Sequence, residues 1–457
     1  MKSISARTSF ALILASILLF GLLSFVIRFF LYADRWVSFV GSPHVYTNGR
    51  LDTGDILDRS GEVLYSSDRD QSYSDNVLIR TATLHLLGDR EGNIPARLIS
   101  SFASKLFGYN KLTGTSAMET KGGELHLSVS AQVQAIALQA MNGRKGTVGV
   151  YNYRSGEILC AVSSPSFDPL NPPNLDSDNF DGRYDGVYVY RFFRSAYTPG
   201  SIFKLTTLAA ALEQDPAIQN ESFNCSGSLI VNGERITCPR AHGTQSLEDA
   251  LANSCNCAFA QITGELGKEG LLKQAKAIRL EEKLSVDGFS TARGHLDLSE
   301  ADENALAWAG IGQYTDQINP CQYMVFMGAI ANGGIAAEPW LVSSASCAGR
   351  ESYRADRQQT PRMLSEQTAK ILRGLMRHNV ETMYGAVDIP GLPVCAKSGT
   401  AEVGSDANTA TFAGFVASER YPLAFIVVVE SGGAGSVAGA PIARTVLESC
   451  INVMDGE

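Results

Sequence analysis

Residues 197–204 read Tyr197-Thr198-Pro199-Gly200-Ser201-Ile202-Phe203-Lys204, and the run that continues to Gln214 is a strong helix former. The Pro199-Gly200 pair breaks the chain just ahead of it, which places Ser201 on the first turn of a predicted helix over Ser201 to Glu213. Lys204 lies three residues on, so the two side chains share one face. A serine hydroxyl is a weak nucleophile without a base beside it. A lysine set among Ile202, Phe203 and Leu205 is desolvated enough to lose its proton near neutral pH. The free N–H groups of a helix N-terminus are also suited to holding a developing oxyanion. Alone, the pattern is weak: roughly one or two Ser-x-x-Lys strings arise by chance in such a chain, and a helix cap followed by a solvated lysine looks the same.

Ser-x-Asn strings weighed beside it are Ser74-Asp75-Asn76, Ser177-Asp178-Asn179 and Ser254-Cys255-Asn256. The first two sit in polar loop sequence, where a solvated Asx turn is the ordinary reading. Ser254 lies in the apolar segment LEDALANSCNCAFAQI, within a helix predicted from Ser246 to Leu266. Two polar side chains there need partners or a role, so Ser254 and Asn256 are the chosen pair. A third string, Lys397-Ser398-Gly399-Thr400, precedes two predicted strands, Thr409 to Ala417 and Leu423 to Glu430. On a strand edge it offers an ammonium, two hydroxyls and backbone donors to an extended peptide ending in a carboxylate, with Gly399 permitting close approach.

The remaining pattern organises these strings. Ser130 to Met141 is a predicted helix, Gly146 to Tyr151 and Glu157 to Ser163 a hairpin, Pro320 to Ala331 a helix, and Ile442 to Val453 a closing helix. Strands, then helices, then strands indicate an α+β fold, a mixed sheet with a helical lobe inserted. Ahead of it, Asp55 to Tyr65 reads as a small hairpin around Arg59-Ser60-Gly61 in a short polar module.

Ser-x-x-Lys, Ser-x-Asn and Lys-Ser-Gly in this order, about 50 and then about 140 residues apart, resemble the three motifs of the penicillin-interacting serine enzymes. The segment from residue 125 onward is similar to the transpeptidase domain of class B, monofunctional penicillin-binding proteins, the peptidoglycan cross-linking enzymes. Arg240-Ala-His-Gly243, Gly312-Gln313, Asn319-Pro320-Cys-Gln322 and Ile389-Pro-Gly391 add to the likeness, which covers nearly three quarters of the chain. The resemblance implies that Ser201 is acylated by a stem peptide ending in D-Ala-D-Ala, with release of the last D-Ala, and by β-lactams. It implies Lys204 as general base, Ser254 and Asn256 as proton relay and amide holder, and Lys397, Ser398, Gly399 and Thr400 as the carboxylate-binding strand. The backbone N–H groups of Ser201 and Thr400 are the implied oxyanion hole. No cofactor is implied, and a polytopic glycan polymerase is an expected partner. Departures are Ser398 where the family has Thr, Glu402 where Gln is more usual, and a following strand, TATFAGF, that lacks the aromatic-rich version. The N-terminal module resembles the family's pedestal only over Gly54 to Gly61, with Thr53 where an Arg is common. No room is left for a glycosyltransferase domain. The rivals are a D,D-carboxypeptidase or β-lactamase using the same acyl-enzyme, and an idle scaffold or β-lactam sensor; the complete motif set argues against the scaffold, and the lack of a multi-span signalling region in the sequence argues against the sensor.

Composition bounds the reading further. The chain has 457 residues, 45% hydrophobic and 19% charged, which is ordinary for folded domains. Its net charge of −9 lacks the basic footprint of a nucleic-acid binder. Phe10 to Ile27 is uncharged and spans about 27 Å as a helix against a hydrocarbon thickness of roughly 30 Å. It exceeds the apolar core of a signal peptide, so an uncleaved anchor is expected. Lys2 and Arg7 put the N-terminus in the cytoplasm and everything after about residue 33 outside. The expected organisation is 1–32 cytoplasmic tail and transmembrane anchor, 33–124 juxtamembrane pedestal, and 125–457 transpeptidase domain. The 9 cysteines are an odd number, so at least one thiol stays unpaired within a monomer. Cys225 and Cys238 bracket a hairpin at Asn232-Gly233 and are a disulfide candidate. Cys255 and Cys257, two apart in a predicted helix, are expected to point apart. With no matching CxxC or His pair nearby, no metal site is expected.

Overall fold

The computed structural model describes residues 2–37, 46–47, 50–51, 54–67, 72–106, 123–347, 349–403 and 407–456. Thr53 and residues 107–122 of the expected pedestal lie outside them. The two predicted C-terminal strands form as Ala407–Val416 and Leu423–Val429. They are the second and third strands of a five-stranded antiparallel sheet, ordered Val394–Val403, Ala407–Val416, Leu423–Val429, Gly146–Asn152, Ile158–Ser164. Leu423–Val429 is apolar at every position because both faces of this sheet are covered. Phe425, Val427 and Val429 join a core with Val148, Val150 and the helices Ala131–Met141 and Gly435–Gly456. Ala424, Ile426 and Val428 face the opposite core with Phe326 of the helix Pro320–Ala331. Each Phe, Ile and Val among them contributes about 1.5–3 kcal/mol on burial, so this strand is a rigid reference for its neighbours.

The helical lobe packs Lys204–Gln214, Asn256–Ala277 and Glu303–Ile311 against one another. Two expectations change here. The single helix expected from Ser246 to Leu266 is two, Leu247–Ala252 and Asn256–Ala277, because Ser246 caps the first and Cys255 the second, and Ser254 between them takes φ +52°. Ser201 lies in a 3-10 turn, Gly200–Ile202, and the α-helix itself starts at Lys204.

The hairpin Gly54–Leu57/Val63–Ser66 forms, and it belongs to a second five-stranded sheet. Gly54–Leu57 pairs in parallel with Gly123–Leu127, which continues to Val342–Cys347 and Arg350–Arg354. The boundary expected at 124/125 therefore falls inside a strand, and segments far along the chain complete this sheet. The N-terminal helix runs Lys2–Val37, and its stretch Arg7–Ala33 is long and apolar enough to cross a membrane, with its apolar window unburied.

Candidate active site

The three strings converge. Gly200, with φ +57°, lies so close to the strand Val394–Val403 that a Cβ would stand 2.5 Å from the carbonyl oxygen of Thr400. At Gly399 a Cβ would stand 2.5 Å from the carbonyl oxygen of Pro199, so glycine at these two positions lets the serine turn rest on the strand. Gln313 donates from Nε2 to the carbonyl of Thr400 at 3.2 Å and closes the other side. Ser201 is half-buried at this seam, whereas Lys204, three residues on, is fully buried.

Lys204 Nζ lies 2.7 Å from the carbonyl oxygen of Ser254, 2.7 Å from Asn256 Oδ1 and 3.3 Å from Ser254 Oγ. Asn256 Nδ2 donates to the carbonyl of Thr237 at 2.8 Å, which turns the amide oxygen toward the lysine. Burial first, and then the positive charge of Lys397, hold the Lys204 ammonium well below the usual lysine range. As a neutral amine, Lys204 places its two N–H groups on two carbonyl oxygens, which only accept. Its lone pair remains for a hydroxyl.

Lys397 is also fully buried, and burial brings its pKa down to about 7. Its Nζ lies 2.8 Å from the carbonyl oxygen of Ser398, 3.1 Å from Ser254 Oγ and 3.3 Å from the Tyr384 hydroxyl. Ser254 Oγ thus bridges the two lysines. Because Lys397 faces Ser254, the surface left toward the cleft belongs to half-buried Ser398 and exposed Thr400. Thr400 Oγ1 accepts from Gly435 N at 3.2 Å, which leaves its own proton to donate. The Ser-x-Asn strings at Ser74 and Ser177 make local contacts instead. Asn76 caps the helix Val77–Ala82 by accepting from Leu78 N at 3.0 Å, and Asn179 accepts from Tyr184 N at 2.7 Å.

Sequence reasoning missed Tyr384, the residue that ends the helix Glu366–Met383 and accepts from Ser398 Oγ at 2.9 Å. It also missed what the cysteines do. The Cys225–Cys238 bridge is not formed, since both are free thiols. Cys238 Sγ instead lies 3.7 Å from Cys255 Sγ and 3.6 Å from Cys257 Sγ. Cys255 and Cys257 do not diverge, because Cys255 precedes the helix with extended backbone rather than lying in it. The Asn232-Gly233 turn is as expected, both residues having positive φ between the strands Ser228–Val231 and Glu234–Thr237.

A serine at a helix entrance, followed three residues on by a buried amine and set beside a strand edge carrying hydroxyls, is the constellation of the serine acyl-transfer enzymes that interact with penicillin. The chain belongs to the family of the penicillin binding protein transpeptidase domain, which it matches over residues 146–448. It is 30% identical over 378 residues to the peptidoglycan D,D-transpeptidase PbpA of Mycolicibacterium smegmatis, covering 76% of each chain. It is 27% identical over 356 residues to the stage V sporulation protein D of Bacillus subtilis, covering 72% of this chain and 54% of that one. Among solved structures, the D,D-transpeptidase domain of a peptidoglycan glycosyltransferase from Eggerthella lenta superposes with a TM-score of 0.77 at 25% identity, over 89% of this chain and 99% of that one. The ceftriaxone acyl-enzyme complex of penicillin-binding protein A from Mycobacterium tuberculosis gives 0.75 at 25% identity, over 87% and 98%.

Proposed function

We propose that this protein is a peptidoglycan D,D-transpeptidase with Ser201 as its nucleophile. Ser201 Oγ attacks the carbonyl carbon of the penultimate D-Ala while its proton passes to the Lys204 lone pair. The tetrahedral oxyanion collapses, the terminal D-Ala leaves with a proton relayed through Ser254 Oγ, and an ester to Ser201 remains. An amine of a second stem peptide then attacks that ester and restores the serine. Ser398 and Thr400 hold the terminal carboxylate of the donor, and Lys397 supplies positive potential from behind Ser254. A β-lactam stops at the ester, because its leaving amine stays tethered. The observation that carries this reading is the hydroxyl of Ser254 held between Lys204 and Lys397 at 3.3 and 3.1 Å, with the turn that carries Ser201 resting on the strand Val394–Val403. The curated relatives named D,D-transpeptidases support cross-linking over hydrolysis.

Residues 1–32 are read as tail and anchor, 33–124 as pedestal and 125–457 as catalytic domain, held outside a single-pass membrane helix. The apolar stretch Arg7–Ala33 behind Lys2 supports that orientation. The same helix suits contact with a polytopic glycan polymerase, to be sought by co-purification with and without it. One experiment tests catalysis and orientation together: intact cells treated with a membrane-impermeant fluorescent penicillin. We expect one label per chain on Ser201 and none in Ser201→Ala. Labelling that persists in the variant, or that appears only after cells are opened, contradicts the assignment or the orientation respectively.

A further inference from the structure

The turn that carries Ser254 and Asn256 also gathers four soft ligands from separated segments. Cys225 ends the strand Ser222–Cys225, Cys238 and His242 follow the Asn232-Gly233 hairpin, and Cys255 caps the helix Asn256–Ala277. One nitrogen of His242 and the sulfurs of Cys225, Cys238 and Cys255 all lie within 4.8 Å of one another. The Cys238–Cys255 sulfur separation is 3.7 Å. That is close to the edge of a tetrahedron built on a metal–sulfur bond of about 2.3 Å, which is about 3.8 Å. It is nearly twice a disulfide bond of about 2.05 Å.

The surroundings also favour a metal thiolate. Asn256 N and Cys257 N donate to Cys238 Sγ at 3.1 and 3.4 Å, and Ala258 N donates to Cys255 Sγ at 3.4 Å. These N–H groups belong to a helix N-terminus, where negative sulfur is stabilised, and such outer contacts orient the ligands of a metal site. His242 Nδ1 is shut off from solvent without a hydrogen-bond partner. A buried imidazole nitrogen left in that state is costly unless something binds the ring.

We propose that Cys225, Cys238, His242 and Cys255 form a tetrahedral site for one divalent cation of the zinc class. Binding takes up the cation and releases three thiol protons to solvent, leaving three thiolates and a neutral imidazole on the metal. The ion clamps the loop 225–242 onto the turn 254–256. It thereby fixes Asn256, which is held from one side by the carbonyl of Thr237 and from the other by Lys204. That last consequence rests on the proposed function, whereas metal binding does not.

The test uses the full chain in detergent, reduced, stripped with a chelator and titrated with Co(II). We expect one Co(II) per chain, a thiolate-to-metal charge-transfer band and the strong visible absorption of a tetrahedral ion, all displaced by one equivalent of Zn(II). Cys225→Ser and His242→Ala should each lose this signal, while Cys160→Ser and Ser201→Ala keep it. Because a ligand substitution inside a packed lobe risks the fold, the unaltered protein also decides. Absence of the charge-transfer band in the reduced wild type, or an undiminished band in both ligand variants, overturns the proposal. Chelation should also slow acylation by fluorescent penicillin. If Co(II) binds but acylation is indifferent to it, the site stands and its role as a clamp on Asn256 falls.

Discussion

The helical lobe and the central sheet each deliver one buried lysine to the hydroxyl of Ser254, and they surround it differently. Lys204 stands at the start of the helix Lys204–Gln214, and its Nζ partners all come from one turn, Ser254 to Asn256. Two of them are carbonyl oxygens, which fix the N–H groups and leave a lone pair. Lys397 stands within the ten-residue strand Val394–Val403, and two of its partners are the hydroxyls of Ser254 and Tyr384. Hydroxyls donate as readily as they accept, so that site accommodates a charged or a neutral amine. The contrast supports the proposed division of jobs: a base in the lobe, and an adjustable positive charge in the sheet.

The largest expected effect removes the base. In Lys204→Ala, acylation by fluorescent penicillin should fall by about 10²- to 10⁴-fold, the range for loss of a general base. Lys204→Arg should not restore it, because a guanidinium keeps its proton and offers no lone pair. Near-normal stopped-flow rates in Lys204→Ala would transfer the role to Lys397 and invert the comparison.

A smaller effect tests the coupling between the two regions. On the proposed mechanism acylation needs neutral Lys204, so the rate should fall as pH drops through the apparent pKa of the lysine pair. The charge on Lys397 is one of the causes that depress Lys204. Replacing it in Lys397→Met removes that repulsion, raises the pKa of Lys204, and should move the acid limb of the pH–rate profile upward by about one pH unit. The maximal rate should drop by about tenfold with the loss of positive potential at the carboxylate side. A limb that stays in place would mean the lysines titrate independently.

The three strings were legible because each carries its chemistry within a few consecutive residues, and because the strand Leu423–Val429 that follows is apolar at every position. Their convergence was implied only by the family resemblance and not by the residues themselves. It depends on Gly200 and Gly399 letting two backbones touch, and the sequence shows two glycines rather than a contact. The break at Ser254 was hidden inside an apolar run that fits one helix, since a left-handed serine has no mark in hydrophobic periodicity. Cys225, Cys238, His242 and Cys255 escaped for a related reason. Their spacing matches no consecutive ligand motif, and only the hairpin fold-back brings the ends together. Tyr384 offered no signal at all, because a single tyrosine after a helix is ordinary until the strand beside it is known.

The smallest expected effect probes the sheet side alone. Tyr384 is buried with its ring edge-on to Phe412 at 5.5 Å, and burial pushes its pKa up, so it remains a phenol. Its hydroxyl oxygen accepts from Ser398 N at 3.4 Å and Ser398 Oγ at 2.9 Å, and Lys397 Nζ lies 3.3 Å away. Tyr384→Phe keeps the ring contact and deletes only that oxygen. Buried donors then lose a partner, so urea denaturation should show a loss of about 1–2 kcal/mol. Acylation should slow only several-fold, since Lys204 and its partners on the turn 254–256 are untouched. The acid limb should remain where the wild type has it, because the charge of Lys397 is still present. If Tyr384→Phe instead lost as much rate as Lys204→Ala, the proton of Ser201 would be leaving through the sheet side. The division between a base in the lobe and an adjustable charge in the sheet would then be wrong.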